Sequence, residues 1–220
     1  MLFGLTIYQY QFLLQGAGWT IVLSLLGFVG GTLLGFPLSL FLISSNPIAR
    51  ILSGLVVIIV QGIPLPILMF AVYFGASFAG FDTAALTAAG LSMSIYSAAF
   101  LGEIWKGSLR AVPRTQWEAS DCLALSKVDI LFLIILPQAI RIATPPTIGF
   151  LVQVIKNTSY AIVLALAELT YSARIVNNAS NEPFLIFSIA GIIYFVICFP
   201  LSKMSRKLEK TMSTYRKASK

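Results

Sequence analysis

Apolar side chains run through this chain in long blocks, and polar ones are confined to short intervals between them. Residues 1–49 hold no charged side chain, and neither do residues 51–81. A helix needs roughly 20 apolar residues to cross a bilayer, and backbone polar groups in lipid must pair within their own segment. The blocks predict five membrane-spanning helices, at about residues 20–43, 51–75, 84–104, 142–165 and 184–202. The fourth is the most interrupted: Arg141 and Lys156 break its apolar run, and Pro137, Pro145 and Pro146 crowd its start. The apolar piece Ile130–Leu136 is too short to span and is expected at the membrane interface.

Composition narrows the class. The chain is 58% hydrophobic and 10% charged, against about 25% charged in soluble domains. This excludes a soluble all-α bundle. Cys122 and Cys198 are far apart without metal-ligand spacing and read as small packing residues. There is no histidine, so the usual imidazole base, metal ligand and near-neutral switch are missing. No phosphate-cradling G-x-x-x-x-G-K-[ST] occurs; any ATP used is expected on another chain. No Lys or Arg precedes Arg50, so no cleavable leader is expected.

Charge placement sets the orientation. With the N-terminus outside, external segments hold only Arg174, Lys156 lies in the membrane, and the other thirteen Lys and Arg are inside, seven of them after Leu201. The expectation is N-out, C-in, with a cytoplasmic loop over 106–130 and a basic tail over 203–220 inside a single transmembrane domain covering 1–220. The tail reads as a topology signal and a contact for anionic lipid, not as a nucleic-acid arm. Gly27, Gly31, Gly35 and Ser39 stand four apart, a ladder that lets another helix approach closely, in this subunit or in a partner.

The polar stretch Gln116–Pro137, Q-W-E-A-S-D-C-L-A-L-S-K-V-D-I-L-F-L-I-I-L-P, falls in the cytoplasmic loop. As a helix it would place Ala119, Cys122, Leu123 and Ser126 on one small or apolar face. Glu118 and Asp121 would sit on a neighbouring edge. That shape suits docking in a groove of a soluble partner; it equally suits a solvated or lipid-lying amphipathic helix.

Q-W-E-A-S-D-C-L-A-L-S followed by I-L-P-Q-A resembles the E-A-A loop of ATP-binding-cassette (ABC) importer permeases, and more narrowly those of polar amino acid uptake. G-I-P-L-P at Gly62–Pro66, the run from Leu91 to Glu103, V-P-R-T-Q at Val112–Gln116, and K-N-T-S at Lys156–Ser159 followed by A-E-L-T match in order. The resemblance extends from about Gly18 to the basic tail and implies a type I importer-like fold: all-α, five transmembrane helices and a cytoplasmic coupling helix. It implies a second permease subunit (identical or paralogous), a cytoplasmic ATPase dimer, an external solute-binding protein, an amino acid as substrate, and a bacterial plasma (inner) membrane. This chain would bind no cofactor and no metal, ATP and Mg residing on the ATPase. Glu118, Ala119, Ser120 and Ala124 would couple to that ATPase.

The sequence departs from the family pattern at four points. Ala124 stands where the pattern has Gly, which suggests a less sharp bend or a small strain. Ser120 replaces the last Ala of E-A-A. Gln61-Gly62-Ile63-Pro64 stands for R-G-T-P, and Asn157 for the Asp of K-D-T-S. These changes bear on substrate identity, and on whether this subunit is the non-binding half of a heterodimer.

Ionisable groups inside spans are costly and point to function. Glu103 and Lys156 qualify. Glu103 is either a partner of Lys106 one turn on or a pathway residue. Lys156 is either snorkelling or paired with a carboxylate of another helix, or it faces Glu103 across a cavity suited to a zwitterion. Breaks in helices expose backbone N–H and C=O at membrane depth, and they are expected at Gly62–Pro66 and Asn157–Ser159. The candidate pathway is Gly62, Ile63, Pro64, Leu65, Glu103, Asn157, Thr158 and Ser159. A stand-alone secondary transporter or channel would require an internal repeat and a coupling-ion site of carboxylates, neither of which is evident. A membrane enzyme would require a nucleophile–base pair.

Overall fold

The computed structural model describes residues 6–218. Its first helix, α1, covers Ile7–Ile43, beginning about a turn and a half into the chain and well before the predicted start. A capping box holds that start: Thr6 Oγ1 accepts from Gln9 N, and Gln9 Oε1 accepts from Thr6 N, pairing donors that a helix start otherwise leaves free. The polar residues Gln9, Gln11 and Gln15 hid this first part from a reading by hydropathy alone.

The second predicted span is a bent pair. α2 (Pro47–Gly62) and α3 (Leu65–Phe78) meet at 104°. The cause is local: Ile63 precedes a proline and is driven to extended backbone, at φ −97° and ψ 126°. Pro64 and Pro66 then remove two donors from the first turn of α3.

α4 runs from Ala85 to Arg110, longer than expected at its far end. It is the partner of the small-residue ladder. A Cβ on Gly27 would stand 2.7 Å from Met93 Cβ, one on Gly35 3.0 Å from the Ala98 carbonyl oxygen, and one on Gly31 would collide with Ser97. The ladder therefore packs within the subunit. Ser97, Ala98 and Gly102 answer Gly31 and Gly35 from α4, Ser94 meets the neighbouring Gly30, and Met93 and Leu101 fill the space that Gly27 and Gly35 leave.

Two expectations are corrected beyond α4. α5 covers Arg114–Cys122, and a short helical turn, α6 (Lys127–Asp129), follows it. From there the chain stays helical. A π-helical stretch, Ile130–Ile135, joins α6 to α7 (Leu136–Asn157), and the whole of Lys127–Leu164 is long and apolar enough to span. Ile130–Leu136 is thus the beginning of the fourth span, not a separate interfacial piece. The wide π turn accommodates Pro137, which has no N–H to give. Pro145 and Pro146 lie inside α7 without ending it, and Ser205 Oγ donates to the Pro145 carbonyl at 2.9 Å. Neighbouring hydroxyls commonly satisfy backbone groups near prolines in membrane helices.

After α7 the chain tightens into a 3₁₀ turn, Thr158–Leu164, closed by Ala165 at φ 54°. α8 (Leu169–Ser180) was not anticipated in the external segment. α9 (Pro183–Ala218) continues the fifth span directly into the basic tail; Ser219 and Lys220, the last residues of that tail, lie outside the described residues. Among the described residues four helices are long and apolar enough to span, and the bent pair makes five.

Glu168 is fully buried and caps α8: its carboxylate oxygens accept from Thr170 N at 2.9 Å, Tyr171 N at 2.8 Å and the Tyr194 hydroxyl at 2.9 Å. Burial pushes its carboxyl above the ordinary carboxylate range, and these hydrogen bonds oppose the shift. Leu169 N donates to Thr20 Oγ1 at 3.2 Å, tying α8 to α1.

Candidate functional site

The break between α2 and α3 opens on a cavity of about 440 Å³. Gln61, Gly62, Ile63, Pro64, Leu65 and Pro66 form one wall, with Tyr96 of α4 and Gln153, Asn157 and Tyr160 of the fourth span opposite. Asn157 is 3% exposed. Its Oδ1 accepts from Gln153 Nε2 at 3.0 Å, one helical turn earlier, while its Nδ2 has no partner. Gln61 Nε2 reaches the Ala99 carbonyl at 3.5 Å.

Five of the eight predicted pathway residues line this cavity: Gly62, Ile63, Pro64, Leu65 and Asn157. The other three do not. Thr158 Oγ1 donates to the Ile155 carbonyl at 2.7 Å, and Ser159 Oγ to the Lys156 carbonyl at 2.8 Å, so both hydroxyls bond back to their own helix. Glu103 is paired with Lys106 at 2.9 Å. It lies seven residues beyond Tyr96 on α4, about 10 Å along a helix. Lys156 is exposed on the side of α9, near Cys198. Glu103 and Lys156 do not share this cavity: Glu103 is engaged by Lys106, and neither residue is part of the lining.

At the α5 end of the molecule, Glu118, Ala119 and Asp121 are exposed, whereas Ser120 is buried and donates to the Gln116 carbonyl at 2.6 Å. Arg114 Nε meets Glu118 Oε1 at 3.0 Å across one turn, with both side chains largely in solvent. Trp117 packs with Leu109, Val112 and Ile130, anchoring α5 to the helices on either side. Ala124 has φ 53°. The turn that Gly would favour is therefore made in full, and the strain falls on Ala124. It also ends the helix, so Leu123 and Ser126 lie beyond α5 and do not extend a face begun by Ala119 and Cys122.

Residues 27–214 match the family described as binding-protein-dependent transport system inner membrane component. The chain belongs to that family. The permease is therefore a multi-pass inner-membrane transport component rather than an enzyme. It is 32% identical to the probable amino-acid ABC transporter permease protein YckA of Bacillus subtilis, over 96% of this chain and 93% of that protein. It is 30% identical to the L-cystine transport system permease protein TcyB of the same organism, over 91% and 86% of the two chains. The structure of an amino acid ABC transporter superposes with a TM-score of 0.86 at 25% identity, over 96% of this permease and 99% of that chain. A chain of the MetNI methionine ABC transporter shares the fold, with a TM-score of 0.77 at 18% identity.

Among the cavity residues of the permease, Tyr96, Gln153 and Tyr160 escaped the sequence reading. Gln153 stands four residues before Asn157, a spacing that places two amides on one helix face. Tyr96 had no signal of its own; only the fold brings α4 opposite the break.

Proposed function

We propose that this permease carries amino acids inward across the membrane, driven by ATP hydrolysis on partner chains, with the cavity at the α2–α3 break as its pathway. The observation that carries the reading is near-full-length similarity to an amino-acid permease, 32% over 96% of the chain. The partners are a cytoplasmic ATPase dimer holding ATP and Mg, a second permease subunit and an external solute-binding protein. The N-terminus faces outward and the basic tail inward, following the distribution of Lys and Arg.

The geometry supports a coupling route through α5. On one side, only Ala111–Pro113 separate α5 from α4, which carries Tyr96. On the other, α6 leads without a break into the helix that carries Gln153 and Asn157. A displacement of α5 by a closing ATPase is thereby delivered to two walls of the cavity through stiff elements. Closure biases the permease between inward- and outward-facing states, and ligand-dependent populations of those states constitute alternating access. Glu118 and Asp121 present the charged edge to the ATPase, and the turn at Ala124 sets the angle at which α5 leaves.

Affinity purification of the tagged chain from its native cells in mild detergent, with mass spectrometry of the eluate, tests the assembly. An ATPase in one-to-one ratio with permease subunits is expected. A chain purified alone and active in uptake without ATP overturns the reading. Glu118→Lys places like charge in the docking groove and should abolish ATP-dependent uptake while leaving the permease folded. Normal uptake by that variant removes Glu118 from the coupling assignment.

A further inference from the structure

The cavity at the break is polar without being charged. Three carboxamides (Gln61, Gln153 and Asn157) and two phenols (Tyr96 and Tyr160) supply its hydrogen-bonding groups, and among the described residues no acidic or basic side chain lines it. The charged groups nearest along its helices stand outside it. Glu103 is neutralised by Lys106 farther down α4, and Lys156, exposed, is not part of the cavity lining.

A free amino acid brings one charge of each sign. The two helix ends at the break offer matching partial charges. The C-terminal carbonyls of α2 suit the ammonium. Pro64 and Pro66 carry no N–H and the Ile67 and Leu68 N–H groups are bonded to the Pro64 carbonyl, which leaves the Leu65 N–H at the start of α3 for the carboxylate. A charged side chain would bring a third charge with no counterpart, and an unpaired charge at membrane depth is strongly disfavoured. An apolar side chain would leave the Asn157 Nδ2 donor buried and unpaired. A site built to hydrogen-bond a polar group discriminates strongly against analogues that lack one.

Resting on the cavity being the pathway, we infer that this permease selects amino acids with an uncharged, hydrogen-bonding side chain, a carboxamide or a hydroxyl, over cationic and anionic ones. Asn157 is the residue that determines this. The bond from Gln153 Nε2 fixes the Asn157 carbonyl side, which leaves the buried Nδ2 donor at the cavity wall beside the Tyr96 hydroxyl, to be reached by a ligand that displaces or bridges to that phenol. A side-chain oxygen of the substrate accepts from Nδ2, and its N–H or O–H donates to a phenol or to Gln61.

The test uses the assembled transporter, purified with its ATPase and partner permease in lipid nanodiscs, without the solute-binding protein, so that binding reports on the permease. Equilibrium binding of tritiated L-glutamine, L-serine, L-arginine, L-lysine and L-glutamate is measured one by one. L-glutamine or L-serine should bind at least tenfold more tightly than any charged probe. Asn157→Asp should weaken the neutral probe at least tenfold and narrow or reverse its advantage over L-arginine and L-lysine, while Asn157→Ser, which keeps a neutral polar group, should retain the preference. Charged probes binding as tightly as L-glutamine and L-serine, no binding of any probe, or an unchanged neutral preference in Asn157→Asp each overturns the inference. Cellular uptake by Asn157→Leu separates the two readings. Uptake that persists unchanged removes the cavity from the pathway and both fall. Uptake that is lost, in a transporter whose wild type binds charged probes, removes only the selectivity.

Discussion

Glu168 and Asn157 lie eleven residues apart, and both side chains are almost completely shielded from solvent. Around Glu168 two backbone N–H groups and a hydroxyl converge on one carboxylate, and Thr170 Oγ1 meets the same hydroxyl at 3.0 Å. Around Asn157 a single bond from Gln153 satisfies the carbonyl, and the amide nitrogen lies buried at the cavity wall close to the Tyr96 hydroxyl, without a hydrogen bond of ordinary length. A satisfied buried network fixes the elements that contribute to it, whereas an unsatisfied one carries a desolvation cost that a partner can relieve. The first holds α8 to α9. The second is placed where a passing solute can complete it.

The largest stability effect is expected from breaking the closed network. Glu168→Ala removes the cap of α8 and orphans the donors that converge on it, at a cost of about 2–3 kcal/mol. Asn157→Ala removes the acceptor of Gln153 and a weak contact with Tyr96, and should cost about 1 kcal/mol or less. Thermal unfolding of both variants in detergent measures the contrast; equal losses would erase the distinction. Acidity sharpens it further. The Glu168 carboxyl is raised by burial, so the folded state holds this proton more tightly than the unfolded chain does. Its contribution to stability is full below the ordinary value of 4.5 and is lost as pH rises through the raised folded value. Glu168→Gln, which carries no proton to titrate, should flatten that part of the pH–stability curve.

A second contrast sets the seam of α1 and α4 against the break, and a somewhat smaller effect is expected there. Gly31→Ala forces a methyl group into Ser97, and overpacking of this kind costs roughly 1–3 kcal/mol. At Gly62 an added Cβ meets nothing within 4 Å, so Gly62→Ala should leave thermal stability nearly unchanged while altering uptake, because its methyl group projects at the cavity wall. A large stability loss at Gly62 would mean that the break is packed as tightly as the seam.

The same contrast explains what could be read from the sequence. The seam announced itself, because close approach demands small residues at a fixed spacing and Gly27, Gly31, Gly35 and Ser39 supply them. The break was legible at Gly62–Pro66 because two prolines act locally on the backbone. The fourth span was misjudged for a related reason: Pro137, Pro145 and Pro146 look like stops, yet a π turn accommodates Pro137, and Pro145 and Pro146 stand inside α7 without ending it, packed where Ser205 of the distant α9 reaches the Pro145 carbonyl. Glu168 gave no sign of being buried, since an acid before a short polar helix reads equally well as a solvated cap. Tyr96 joined the cavity only through the packing of α4 against the break. Local chemistry was legible; partnerships between distant helices were not.

A small effect of the opposite sign, a gain in stability, is expected outside both polar regions, at Ala124. Its φ of 53° is a conformation that costs an L-residue with a Cβ roughly 1–2 kcal/mol. Glycine removes that cost but gives back part of the gain through the greater freedom of the unfolded chain. Ala124→Gly should therefore stabilise the permease by only about 0.5–1 kcal/mol, a rise of a few degrees at most in thermal unfolding. Because the turn is already made, the path of the chain out of α5 stays the same, and ATP-dependent uptake should be retained. A variant less stable than the parent would show that the alanine methyl makes a contact that offsets its backbone strain. A variant that is more stable but uncoupled would show instead that the strain holds α5 at its working angle. Measuring stability and uptake on the same preparation distinguishes the two, and sets the coupling turn apart from the buried networks by the size and sign of its effect.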